Sequence, residues 1–420
     1  MPLDLLLVWN RMKILFTLHG YKPAYRLGGP ILSVAALAEG LVARGHDVTV
    51  YATNSDLDQK LDVPVNTATL VNGVTVFYFA FDDSFSRLVP GLSRNPAKNV
   101  YRYSPALKAS VENSIMGFDV VHTHLPFIYP TYCAGRAAIK HSIPLFYHQR
   151  GVFAPARLRR GGFKKRAYIE LVEKPLMRRA TTLVALTADE IESYRALGVR
   201  TPCIVIPNGI DADQFSDDVD PAALSHFGLP ADAQIILFMS RIHPVKGIER
   251  LLDAFLQVAH ALPRAYLVIA GPDELNMGPE LRRRASAAGL SKRVVFTGMV
   301  VGAVKKALLA RADIFCLPSE AEGFSIAILE ALASGTPVQI SPGCSFPEAG
   351  AAGAASIVTH DAKAIAEDLI RLLNLPETLK RMGEKGRALV RSEYAWPAIV
   401  RNVEIAYLDG LARSRRSTSR

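Results

Sequence analysis

Cysteine is scarce. The chain has 420 residues and four cysteines, at Cys133, Cys203, Cys316 and Cys344. They are widely scattered, with neither zinc-ligand spacing nor a disulfide framework, which fits a reducing cytoplasm. Long apolar runs are absent too. None reaches ~18 residues, so no helix is expected to span a membrane. Leu5-Leu6-Leu7-Val8 has no basic residue before it and no small-residue cleavage site after it, which excludes a secretory signal. A buried strand starting at Met12-Lys13-Ile14-Leu15-Phe16 points instead to Met12 as the natural start and to residues 1–11 as a disordered extension. No Gly-x-Gly-x-x-Gly fingerprint occurs, only Gly28-Gly29, and no acidic residue ends the next strand as a dinucleotide site requires. Asp56-Leu57-Asp58 and Asp211-Ala212-Asp213 spell Asp-x-Asp, but the first lies in a loop and the second in a turn, so neither reads as a metal site. Repeats are missing, and only the tail from Arg413 to Arg420 is of low complexity.

Charge is plentiful and lopsided. The net charge is +10. Residues 1–210 hold 25 Lys and Arg against 15 Asp and Glu, whereas residues 211–420 hold 24 of each. The whole excess lies in the first half, which suggests an anionic partner there. Arg157, Arg159, Arg160, Lys164, Lys165 and Arg166 crowd around Leu158 and Phe163, ahead of a helical pattern with Ala167, Leu171 and Val172 on one face. Arg94, Lys98 and Arg102 would share one face if that segment is helical. Nucleic acid lacks the interleaved aromatics that would support it. An anionic membrane surface, touched peripherally, is the expected partner; ordinary surface charge is the alternative.

A length of 420 residues suits two domains, and strands alternate with helices throughout. Ile14-Leu15-Phe16, Val48–Tyr51, Asp119–His124, Pro144–His148, Thr182–Leu186 and Cys203–Pro207 are strands of the first. Their nearly continuous apolar runs belong to parallel strands covered on both faces. A helix from Pro30 to Ala43 has proline in its first turn and Gly45 past its end. After the acidic stretch 211–220, a second pattern has strands at Ile235–Phe238, Tyr266–Ala270, Val294–Phe296, Ile314–Leu317 and Val338–Ile340. The fold class is therefore α/β, two doubly wound Rossmann-like domains facing across a cleft, with ligand at the carboxyl ends of both sheets. The expected boundaries are 12–208 and 209–395, then an amphipathic helix 396–411 and a basic tail 412–420.

The residues with chemistry sit at strand ends. Glu322 and Glu330 bracket Gly323-Phe324-Ser325-Ile326, where a strand stopped by Pro318 gives way to an apolar helix. Free amides at a helix mouth favour anions, and a sugar diphosphate would bridge those amides to Glu322, with Glu330 about two turns inside. Arg241 and Lys246 follow the strand ending at Met239 and could clamp a diphosphate, or be solvated loop charges. His148 ends a strand ahead of Gln149-Arg150-Gly151. His122 and His124 point to one side of a strand, which permits a metal pair, yet no carboxylate or cysteine ligand is suggested nearby. Glycines at 28 and 29 would let backbone approach phosphate.

The Glu-x7-Glu element is similar to that of the retaining glycosyltransferases of the GT-B fold, the large family 4 type known as glycosyl transferases group 1. Gly28-Gly29, Ile206-Pro207-Asn208-Gly209-Ile210-Asp211, Ser240-Arg241-Ile242-His243-Pro244-Val245-Lys246-Gly247, Ala270-Gly271-Pro272 and Tyr394-Ala395-Trp396 follow in the family's order. The resemblance covers roughly Met12 to Leu408. It implies transfer of a hexose from a nucleotide-diphosphate-sugar to an acceptor hydroxyl, in cell-surface polysaccharide or glycolipid synthesis. Glu322 would contact the donor sugar near the reacting carbon, and Glu330 would hold the ribose hydroxyls. Arg241 and Lys246 would neutralise the leaving diphosphate without a metal ion, and Gly28, Gly29, Gly271, Gly323, Phe324, Ser325 and Ile326 would complete the donor site. His148 would orient sugar or acceptor, with His122, His124 and Arg150 on the acceptor side. The last helix would cross back to the first domain. No covalently bound cofactor is implied. The acceptor could be lipid-linked, which would place the enzyme on the inner face of the membrane. A nucleotide-sugar 2-epimerase, a phosphorylase or a non-catalytic sugar-nucleotide-binding protein stays open beside this reading.

Overall fold

The computed structural model describes residues 11–82, 101–154, 158, 162–215 and 221–418. The chain divides into two compact units, Met1–Pro207 with Ile399–Arg420, and Asn208–Ala398. The extension 1–11 lies outside the described residues except for Arg11, whose guanidinium pairs with Asp47. Arg94, Lys98, Arg157, Arg159, Arg160 and residues 216–220 of the acidic stretch also lie outside them.

The first unit is built on β1 (Lys13–Leu18), β2 (Asp47–Thr53), a small hairpin of β3 (Ser55–Asp56) and β4 (Gln59–Lys60), β5 (Ala68–Val71), β6 (Val74–Phe79), β7 (Val120–His124), β8 (Leu145–His148), β9 (Thr182–Ala185) and β10 (Cys203–Val205). Eight of these form one sheet in the order β10-β9-β8-β7-β1-β2-β6-β5. Its strands are parallel except β5, which runs antiparallel to β6 at the edge. Strands β5 and β6 escaped the sequence reading. Alternate residues of β5 are exposed, so it has no continuous apolar run to betray it. From β1 the chain moves outward to β2 and β6, then returns to β7 on the other side. Strand order thus reverses between β1 and β7, and the crevice of a doubly wound sheet opens beyond the carboxyl ends of those two strands.

The second unit carries β11 (Gln234–Met239), β12 (Ala265–Ala270), β13 (Val294–Gly298), β14 (Ile314–Leu317), β15 (Val338–Ile340) and β16 (Ala355–Ile357). They form a parallel sheet in the order β13-β12-β11-β14-β15-β16. Here the reversal falls between β11 and β14. The helix Ile248–Ala261 covers this sheet with Ile248, Leu251, Leu252, Phe255 and Val258, an i, i+3, i+4 stripe.

Three separated sequence motifs meet in the second unit. The amide of Ile210 donates to the Tyr394 carbonyl at 2.8 Å, and a Cβ on Gly209 would strike the Trp396 ring at 2.7 Å, so only glycine admits that indole. Tyr394 stacks on Phe324 with ring centroids 5.7 Å apart, and Phe346 closes the trio.

The last helix spans Trp396–Thr418 and so runs past the 411 set by its amphipathic pattern. An ion pair from Arg413 to Asp409, 3.0 Å and one turn apart, supports the extra length. From Ile399 onward it belongs with the first unit. Ile399, Val400, Val403 and Tyr407 form its buried stripe. Buried Glu404 accepts from Arg44 Nε at 2.5 Å and from His46 Nε2 at 2.9 Å. Because the Met12 amide donates to His46 Nδ1 at 3.2 Å, the imidazole proton sits on Nε2, aimed at the carboxylate.

Candidate active site

In the second unit the predicted residues gather beyond β11 and β14, at the reversal point. The loop after β11 turns through a short 3-10 segment, Pro244–Lys246, capped by the His243 side chain. Gly247 then takes a φ of 73°, and a Cβ there would run into the Pro318 carbonyl oxygen. Glycine is therefore what lets the two loops touch, and the contact is fixed by Glu320 N–H donating to the Val245 carbonyl at 2.8 Å. This apposition carries Lys246 to Glu322, Nζ to Oε1 at 2.5 Å, with only 12% and 9% of their side chains exposed.

The helix after Glu322 spans Ile326–Ala333, and its N-cap Ser325 makes no side-chain cap bond. Its first-turn amides therefore remain available to a ligand. Because Gly323, Phe324 and Ser325 stay outside the helix, Glu330 lies about one turn inside rather than two. It pairs with Lys305 at 2.7 Å, a partner that sequence reading missed, since nothing in helix Gly302–Arg311 singles it out. Arg241 is half-exposed and pairs with Glu274 at 3.0 Å. Gly271 follows β12, and its amide donates to the Gly298 carbonyl at 2.8 Å.

In the first unit His122, His124 and His148 converge. One ring nitrogen from each lies within 4.8 Å of the others, and all three rings are buried. The sequence showed two of them as a pair; the register of β7 with β8, His124 opposite His148, adds the third. Burial pushes all three pKa values well below the usual imidazole range, and the Arg150 guanidinium adds to the shift. The rings are therefore neutral near pH 7. Arg150 Nε donates to His124 Nδ1 at 3.3 Å, so the His124 proton sits on Nε2. The buried Tyr407 hydroxyl lies 2.6 Å from His122 Nδ1 and shares a hydrogen bond with it, in which either atom can donate. The Nε2 atoms of His122 and His124 lack a hydrogen-bond partner, as do both nitrogens of His148. Of these four free nitrogens, His124 Nε2 and one nitrogen of neutral His148 are N–H donors, which suits an oxygen-rich ligand better than a cation.

Gly28, with φ 86°, caps helix Gly29–Ala43. Arg150 reaches the same helix through Ser33, 2.9 Å away. Asp56 is buried, and Asp211 opens the 3-10 turn Ala212–Gln214. Arg102 corrects one expectation. It is buried, with its guanidinium on the Leu57 carbonyl and over the Phe81 ring, so it belongs to no exposed basic face; the irregular backbone there, with φ 55°, is not helical. Leu171, expected on a packed face, is 78% exposed, because a π turn, Ile169–Glu173, shifts the helical register.

The pattern described as glycosyl transferases group 1 matches residues 221–389, and that of a glycosyl transferase 4-like domain matches residues 28–209. The chain belongs to this glycosyltransferase family. It is 26% identical over 411 residues to the D-inositol 3-phosphate glycosyltransferase of Mycolicibacterium smegmatis, covering 94% of this chain and 90% of that one. It is also 26% identical to the phosphatidyl-myo-inositol mannosyltransferase of Mycobacterium tuberculosis, covering 90% and 93%. Among solved structures, sucrose-phosphate synthase from Thermosynechococcus elongatus superposes with a TM-score of 0.69 at 22% identity, over 96% of this chain and all of that one. HepE of Anabaena, solved with UDP and glucose, gives 0.69 at 20% identity, over 95% and 100%. At such identities the structures speak for the fold, which is of the GT-B type. This glycosyltransferase thus carries two Rossmann-like units, each with its polar cluster at the carboxyl end of a parallel sheet.

Proposed function

We propose that this glycosyltransferase moves a hexose from a nucleotide-diphosphate-sugar to an acceptor hydroxyl, with retention at the anomeric carbon. The observation that carries the reading is the Lys246–Glu322 pair beside an uncapped helix mouth. Phosphate oxygens on the first-turn amides would draw Lys246 away from Glu322 and free the carboxylate for sugar hydroxyls. Glu330 would accept from the ribose hydroxyls, with Lys305 holding it in place. Arg241 would trade Glu274 for the diphosphate, a fork better matched to phosphate than to a single carboxylate oxygen. These cations would carry the leaving-group charge without a divalent ion. The leaving diphosphate would help remove the acceptor proton, so no strong protein base is required.

The first unit would take the acceptor, with His148 orienting sugar or acceptor, the Nε2 donor of His124 meeting oxygen and His122 beside it. Relatives named for inositol 3-phosphate and phosphatidyl-myo-inositol support a phosphorylated polyol, free or lipid-borne, in glycolipid or polysaccharide synthesis. The charge excess of residues 1–210 supports peripheral contact with an anionic membrane from the cytoplasmic side. Thermal stabilisation across a panel of nucleotide-sugars tests the donor, because a ligand that binds only the native state raises the melting temperature. One nucleotide-sugar is expected to stabilise the protein, with and without excess chelator, and NMR of the product should show the donor's anomeric configuration. Inversion, or loss of activity in chelator restored by magnesium, would overturn the reading. Sugar turnover without any acceptor would mark a 2-epimerase instead.

A further inference from the structure

A cavity of about 1140 Å³ opens on the first unit, just above the ~300–1,000 Å³ of typical small-molecule sites. Its floor is one stripe of helix Tyr129–Lys140, where Tyr132, Cys133 and Ala137 follow at i, i+1 and i+5. Half-buried Tyr103, Ile139 and Val172 and exposed Leu171 line its apolar sides, above the buried Val111 and Leu176. Cations stand along the lips: Lys108, Arg136, Lys140 and Arg179, against a single carboxylate, Glu112, which already faces Lys108 at 3.7 Å. Arg136, Lys140 and Arg179 are exposed and have no carboxylate partner among the described residues. Leu171 is held outward by the π turn, because two residues on Glu173 points inward, accepting from the Phe127 amide at 2.7 Å and the Tyr147 hydroxyl at 2.6 Å. π turns recur at functional sites, and an unsupported leucine at the edge of a basic groove is a feature that solubility alone does not explain.

We propose that this groove seats the acyl chain of an anionic lipid, with the lipid phosphate against Arg136, Lys140 and Arg179 and the chain along Tyr132, Ile139, Leu171 and Val172. Apolar walls under a one-signed rim match an amphiphile with an acidic head, and match neither a nucleotide nor a free sugar. The inference deepens the membrane-contact reading above: the contact then includes a single lipid held in a shaped slot, besides charge spread over a surface.

The test uses the full chain and lysophosphatidylglycerol below its micelle concentration, followed by fluorescence of a labelled acyl chain. Saturable binding is expected, weakened by salt. Ala137→Trp, which fills the floor of the groove, should weaken it by about tenfold or more, and so should Arg136→Glu with Lys140→Glu. An unchanged melting temperature will show that each variant folds. The lipid should also shield Cys133, which lines the groove, from a thiol reagent, while leaving Cys203 as reactive as before. Wild-type protein that binds no monomeric lipid, or an Ala137→Trp variant that binds as well as wild type, overturns the proposal. Sedimentation with phosphatidylglycerol vesicles in that case would leave surface contact standing without the groove, so the two readings fail separately.

Discussion

The two units solve the same topological problem with opposite electrostatics. Each has a parallel sheet whose strand order reverses once, and each puts polar residues beyond that reversal. In the second unit those residues are charged and paired, Lys246 with Glu322 and Lys305 with Glu330. In the first they are neutral imidazoles with unpartnered nitrogens, fixed from behind by Arg150 and Tyr407. A paired charge keeps its partner until a ligand of the same sign displaces it, so the second unit is suited to exchanging ions for a diphosphate. Oriented neutral donors attract oxygen of any charge, so the first is suited to hydroxyls.

The contrast breaks most sharply at Glu322. Glu322→Gln should lower turnover by about a hundredfold or more, the scale of losing one group that acts on the transition state, while nucleotide still raises the melting temperature. Lys246→Ala should weaken turnover and nucleotide binding together. Steady-state rates and thermal shifts on folded variants check this, and near wild-type turnover in Glu322→Gln would remove the carboxylate from the chemistry.

In the first unit the largest effect should fall on stability. Glu404→Ala leaves buried His46 without its acceptor and loosens the final helix from the sheet. Removing one member of a buried pair costs about 3 kcal/mol, which the urea midpoint will report. A change of less than about 0.5 kcal/mol would mean that the apolar stripe of Val400, Val403 and Tyr407 holds the helix unaided.

The smallest expected effect concerns pH. Burial raises the Glu173 pKa from its ordinary 4.5 to about 7. A carboxyl that holds its proton more tightly when folded contributes stability that is full below pH 4.5 and lost as pH rises through about 7. Glu173→Gln should therefore match wild type at pH 4.5 and melt on the order of a few degrees higher at pH 8. The buried histidines act in the opposite sense. His19, lowered to about 4 by burial and by Arg102, favours the fold above pH 6.5 and loses that contribution as pH falls. A parallel pH profile in wild type and Glu173→Gln would show that this carboxyl is not the group responsible.

Much of the fold was legible because parallel strands are buried on both faces and read as unbroken apolar runs; β1, β7, β11 and β14 were all visible in this way. The half-exposed edge strand β5 and its neighbour β6 were not. The candidate site residues were legible as residue types at strand ends, Glu322 and Lys246 above all, since a charge that interrupts an apolar pattern stands out. Their partners were hidden. Lys305, Glu274 and Tyr407 sit in ordinary helical or loop sequence, and only the folded chain says which charge they meet.

By itself, then, the sequence determined two doubly wound units and the end of each sheet that carries polar groups, because burial and periodicity are local properties of the chain. Tertiary structure alone decided that Lys246 closes on Glu322, since that depends on a glycine allowing two loops to touch across 76 residues of sequence. It decided too that three histidines form one cluster and which nitrogen of His124 carries the proton. The His124 proton is placed by Arg150 from the strand end after β8, and His122 is held by Tyr407 from a helix 285 residues beyond it; hydrogen bonds of that reach have no periodic signature in the chain.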